Sequence, residues 1–189
     1  SFSQTLASLA GDGGVDLGSA TLTLNGSGAT LYGGILSGTG GVTLNGGGTL
    51  TLAGDNSYTG STTITNGRLI VDGSLASAIT IGAAGRLGGS GRIGALTVGG
   101  TIAPGNSIGT LNVNGALTFA SGSTYEVEIA PDGTSDRIDA SGAVTIQGGT
   151  VAVLAGGATN FANVTNYTIL TGSSVTGNFT DVTSDLAFF

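Results

Sequence analysis

Apolar and hydroxylated residues alternate along this chain with a period of two, the pattern of half-buried β-strands. The runs at 21–24 (TLTL), 42–44 (VTL), 49–52 (TLTL), 96–98 (LTV), 111–113 (LNV) and 117–119 (LTF) all follow it. Adjacent side chains of a strand point to opposite faces, which places Leu and Val inside and Thr and Asn at solvent. Threonine suits the outer position, because its branched Cβ favours strands while its hydroxyl stays soluble. Runs begin about 8–12 residues apart, a spacing shared by sandwiches, barrels and solenoids. The connectors at 38–41, 45–48 and 82–85 recur at similar lengths without the two-residue hairpin turns of a meander. Three strands and three corners take about 20–28 residues per coil. The pattern therefore predicts an all-β parallel solenoid of seven or eight coils, a rod of roughly 35–40 Å. A β-sandwich or barrel is the alternative.

Composition sharpens this in three ways. Glycine supplies 38 of 189 residues, which fits either a disordered linker or a fold with frequent sharp corners. Disorder requires few apolar residues and high net charge; a chain that is 39% hydrophobic and 8% charged is ordered. Helices are excluded from most windows by Gly, which costs about 1 kcal/mol against Ala at each helical position. Eleven carboxylates face four arginines, with no Lys or His, for a net charge of −7. Arg68, Arg86, Arg92 and Arg137 are too few and too scattered to displace counterions from phosphates, so no nucleic-acid partner is expected. Cysteine is absent, which excludes disulfides and thiolate chemistry. With no Met either, the chain is expected to be a piece of a longer protein.

From about Ala116 onward the strands are expected to lengthen and charge enters. The run 123–129 (STYEVEI) alternates over seven residues and precedes Pro131-Asp132-Gly133, a strong turn signal. A hairpin projecting from the stack is expected there, within a C-terminal cap that shields the open end of the rod.

Residues 46–71 resemble the passenger-associated transport repeat of bacterial autotransporters. In that repeat a G-x-L-x-L run leads to N-x-Y-T-G, then T-x-[IV], then G-x-L-x-V. The matching residues are Gly48, Leu50, Leu52, Gly54, Asn56, Tyr58, Thr59, Gly60, Thr62, Ile64, Gly67, Leu69 and Val71; Ser57 stands where Thr is more usual. Residues 103–113 (APGNSIGTLNV) are similar to an element found toward the end of many such passengers. With Tyr125, Val127, Ile129, Tyr167, Ile169, Leu170 and Phe179, they resemble the autochaperone region that precedes the membrane barrel. The resemblance spans roughly residues 30–180.

The resemblance implies a right-handed, single-stranded parallel β-helix, with passenger coils over 1–100 and an autochaperone or capping part over 101–189. It also implies type V secretion through the periplasm to the cell surface, or release from it, and a partner in the protein's own C-terminal β-barrel. The function implied is a folding template and stalk, of an adhesin associated with virulence. The displayed segment is expected to be a monomer in solution. Alternatively, its faces bind a host ligand or another copy of the chain.

Catalysis finds little support. Without His, Cys or Lys only paired carboxylates remain: Asp12 with Asp16, Glu126 with Glu128, and Asp136 with Asp139. Glu126 and Glu128 stand roughly 7 Å apart along one strand, within reach of glycosidase geometry. The reading preferred is a solvated strand face, and for Asp136 and Asp139 a turn with a local ion pair to Arg137. A polysaccharide-active enzyme is the remote alternative. Residues 11–17 (GDGGVDL) are similar to a calcium β-roll repeat, but the glycine spacing differs and no second copy follows, so neither metal nor cofactor is expected. Tyr58 either offers a sugar-stacking platform or packs over a corner and locks register. Phe119, Tyr125, Phe161, Tyr167 and Phe179 are expected to fill the core; Phe188 and Phe189 support no inference.

Overall fold

The computed structural model describes residues 2–156, 158, 160–161 and 165–186, so Phe188 and Phe189 lie outside the described residues. Among those described, strands and turns build the whole fold and no helix forms. The chain is an all-β parallel β-helix whose strands stack in three faces. The first face has nine rungs: Gln4–Leu6, Leu22–Leu24, Val42–Leu44, the start of Thr62–Val71, the start of Ile79–Gly89, Leu96–Val98, Leu117–Phe119, Ala143–Ile146 and Ser174–Gly177. The second contains Ala29–Tyr32, Thr49–Leu52, the ends of the two long strands, Thr101–Pro104, Thr124–Glu128, Thr150–Leu154 and Asp181–Ser184. The third runs through Asp55–Asn56, Ser74–Leu75, Arg92–Ile93, Thr110–Val113, Arg137–Ala140 and Leu170–Thr171. Earlier in the chain, Val15–Asp16 pairs with Leu36–Ser37. Eight steps of about 4.8 Å give the nine-runged face a length of about 38 Å.

Register turns the alternation into columns. Leu22, Val42, Thr62, Ile79, Leu96, Leu117, Val144 and Val175 stand one above another, facing inward. Leu50, Leu69, Leu87, Ile102, Tyr125 and Val151 form a second inward column, and all are buried. Together with the third face they make one continuous core. Each coil covers its neighbours, so the apolar surface of one rung is removed from water by the rungs on either side.

Three expectations are corrected. Coil length is less uniform than expected: 20 residues separate Leu22 from Val42, 17 separate Thr62 from Ile79, and 31 separate Val144 from Val175. The longest strands lie in the middle, not after Ala116: Thr62–Val71 and Ile79–Gly89 each continue from the first face onto the second. Glycines 82 and 85 therefore sit inside a strand rather than in a connector, and a register irregularity between Ile81 and Ala84 absorbs the bend. At Pro131-Asp132-Gly133 the chain does reverse tightly. Ile129 and Ser135 form an antiparallel bridge, and Ala130 N–H donates to Thr134 O at 2.9 Å.

Candidate functional site: the buried polar corner

Between the third and first faces, residues 56–62 turn a corner with three polar side chains pointing into the core. Asn56 is 2% exposed, and Tyr58 and Thr62 are fully buried. Buried amides and hydroxyls are costly unless hydrogen-bonded, and here each is. Asn56 Oδ1 accepts from Leu36 N–H at 3.0 Å, in the coil before. Its Nδ2 donates to Gly54 O at 2.9 Å in its own coil and to Ser74 O at 3.3 Å in the coil after. One side chain thus ties three coils together where the third-face ladder is interrupted. The Tyr58 hydroxyl meets Thr62 Oγ1 at 2.6 Å, and Thr62 Oγ1 meets Ser77 Oγ at 2.6 Å, a second buried chain of hydrogen bonds into the next coil. Burial pushes the Tyr58 phenol above its ordinary pKa, against the opposing effect of those hydroxyl partners, so it stays neutral.

The remaining residues singled out from the sequence frame this corner. Leu50, Leu52, Ile64, Leu69 and Val71 are buried in the inward columns. Gly48, Gly54 and Gly60 lie directly over Gly28, Gly34 and Gly40, where a Cβ would collide with the carbonyl oxygen of the coil below. Gly67 adds a positive φ of 90° to the same close approach, so glycine alone fits there. Thr59 is exposed, and its N–H donates to Gly38 O at 3.0 Å. Thr62 occupies an inward column, as alternation with Ile64 requires, and Tyr58 and Ser77 satisfy its hydroxyl. Ser77 escaped sequence reasoning altogether, since nothing local marks a serine that meets a partner 15 residues earlier.

The C-terminal set clusters separately. The rings of Phe119 and Tyr125 stack at 5.7 Å, and Phe179 meets Phe119 edge-on at 5.0 Å. Tyr125 O–H donates to Ile169 O at 2.5 Å and Tyr167 O–H to Ala130 O at 2.8 Å. Val127 is buried, Ile129 is 9% exposed, and Phe161, Tyr167, Ile169, Leu170 and Phe179 pack against the core from its edge.

The carboxylates are not arranged as expected. Glu126 makes a two-pronged ion pair with Arg86, two rungs away on the second face, rather than lying free in water. Asp136 is separated from Asp139 in role: it is 2% exposed, accepts from Gly109 N–H at 2.8 Å and from Glu128 N–H at 2.9 Å. Burial raises its pKa to about 6, prevailing over those two hydrogen bonds. Arg137 pairs with Asp139 at 2.5 Å on a strand, where a turn was expected. Among the described residues no group of three or more Asp or Glu is placed to hold a metal ion.

The chain is thus a parallel β-helix in which a buried Asn-x-Tyr turn pins three coils. Residues 42–71 match the family model described as the passenger-associated-transport-repeat, beginning at Val42 rather than Gly46. The chain carries that repeat, which supports its placement as the passenger domain of an autotransporter. That class implies secretion or display at the outer membrane and a C-terminal β-barrel domain elsewhere in the protein. None of the curated proteins compared with the chain matches it.

Proposed function

We propose that this segment is a non-catalytic stalk and folding template of a surface-displayed adhesin, with an autochaperone unit in its C-terminal part. The C-terminal coils reach the cell exterior first in this reading and form a stable edge. Each later coil then docks by edge pairing and buries its Leu and Val column against the coil already folded. The free energy released outside opposes sliding back through the barrel, so no nucleotide is needed.

The supporting observation is the ring cluster in which Phe119 and Tyr125 of one coil meet Phe179 from later in the chain, closed by the Tyr125–Ile169 hydrogen bond across 44 residues. Such a cluster joins distant parts of the C-terminal region into one unit before any earlier coil is needed. The carboxylates take structural parts in the same reading: Glu126 is engaged by Arg86, and Asp136 by two backbone N–H groups.

The test uses the full reading frame with its barrel, expressed on cells. Ile169→Asp is expected to lower passenger exposure to external protease while the barrel still inserts. Undiminished exposure with this variant would refute the template.

A further inference from the structure

The outward side of the first face carries one threonine in every rung. The register runs from Thr5 to Thr176 through Thr43, Thr80, Thr97 and Thr145, nine in a single column. All nine are exposed or half-buried. Thr176 donates to Val144 O, and the other eight hydroxyls have no hydrogen-bond partner among the described residues. No charged residue lies in these nine rungs or beside them in the chain, although the protein carries four arginines and eleven carboxylates. Those charges sit on the other two faces and in the corners, as with Arg68, Arg86 and Glu126 on the second face and Arg92, Arg137 and Asp139 on the third.

We propose that this uncharged threonine face is a self-association surface, and that its partner is the same face of a second copy of the chain. Three arguments select that occupant. A hydroxyl both donates and accepts, so a column of free hydroxyls is complementary to itself without any opposite charge. A partner that follows nine rungs must repeat at the rung spacing of about 4.8 Å. A second copy does so by construction, whereas a polysaccharide with a different repeat drifts out of register along the rod. Finally, two molecules of net charge −7 repel through their acidic faces, which leaves the charge-free face for close approach. The contact is isologous, with the two-fold axis parallel to the rods, so that each rung meets its own image. A face about 38 Å long and about 14 Å wide covers about 500 Å² per partner, about 1,000 Å² in all. That is the lower limit for a specific interface, so single pairs are weak and many displayed copies hold by avidity.

The proposal concerns the folded stalk, and its assay is separate from that of the folding template: self-association is measured on purified chain, display on cells. Sedimentation equilibrium of the purified chain up to about 300 μM is expected to show a reversible dimer that added salt does not weaken. Thr97→Arg, which sets two cations opposite each other in the pair, is expected to weaken it at least about tenfold. Thr49→Arg on the second face, one register step from Arg68, is expected to leave it unchanged. Because the chain has no cysteine, Thr97→Cys is a probe that scarcely alters the surface, and it is expected to cross-link on oxidation while Thr49→Cys does not. A strictly monomeric chain, a dimer indifferent to Thr97→Arg, or equal cross-linking of both cysteine variants overturns the proposal. So does a monomer that binds a crystalline polysaccharide through Thr97, which reassigns the face to glycan recognition.

Discussion

Two corners of this rod are each pinned by one buried side chain, and the pins differ in a single chemical respect. Asn56 and Asp136 are both 2% exposed, and both accept a hydrogen bond from a backbone N–H of another coil, Leu36 and Gly109 respectively. Asn56 also donates, and so closes a bridge to the coil after it; its amide carries no charge at any pH. Asp136 can only accept when ionised, binds two N–H groups, and titrates. The surroundings differ to match. Around Asn56 the coils are short, glycine lies over glycine, and polar groups hold the turn. Around Asp136 the coils are long and aromatic rings fill the interior. A solenoid can therefore pin a corner either with a neutral side chain between tightly stacked backbones or with an ionisable one beside a larger hydrophobic cluster.

The largest test of this picture is whether burial by neighbours decides stability. Leu69 is fully buried between Leu50 and Leu87, whereas Val182, the last rung of the same column, is 67% exposed. Leu69→Asp is expected to cost more than about 4 kcal/mol, read by urea unfolding, because it places an unpaired carboxylate in a sealed core. Val182→Asp is expected to stay within about 0.5 kcal/mol. Equal effects at the two positions would mean that the coils do not stabilise one another as stacked layers. Next in size is the neutral pin. Asn56→Ala strands the Leu36 N–H and removes the amide's bonds to the Gly54 and Ser74 carbonyls, at an expected cost of about 2–3 kcal/mol in the same assay. A loss below about 0.5 kcal/mol would show that the turn backbone, not the amide, holds the corner.

The inward columns were readable from residues alone, because a strand's side-chain direction follows from period two. Leu50, Leu69 and Val71 needed no more than that. The glycine corners were legible too, as at Gly54 and Gly60, since short strands must be separated by something that turns. What alternation does not encode is which corner lies over which. Alternation with Ile64 turns Thr62 inward, but the Ser77 that satisfies its hydroxyl arrives from the next coil. Glu126 reads as solvated until the second face sets Arg86 two rungs away. The bend at Gly82 and Gly85 reads as a break, yet the parallel ladder resumes past its irregularity. Each miss is an interaction between coils, and the offset between coils varies from 15 to 32 residues. The threonine column is of the same kind: every member was visible, but its alignment depends on register.

The smallest effect is the one that separates the two pins by charge. In the folded chain Asp136 has a pKa of about 6, raised from 3.8 chiefly by burial, with Glu128 nearby adding to the rise. Between those values the folded form holds a proton that the unfolded form has lost. Linkage then requires stability to increase as pH falls through 6, to be complete below 3.8, and to be lost again as pH rises past 6. The expected contribution between pH 7 and pH 5 is about 1 kcal/mol in favour of the lower pH. Other carboxylates titrate in the same experiment, so the quantity to measure is the difference between the wild-type chain and Asp136→Asn at each pH. That difference should change by the stated amount and sign, whereas the difference between wild type and Asn56→Ala should stay level across the same range, because the amide does not ionise. If the Asp136 difference is flat, the two backbone N–H groups outweigh burial and keep the carboxylate ionised throughout. Its corner would then be pinned as permanently as the one at Asn56.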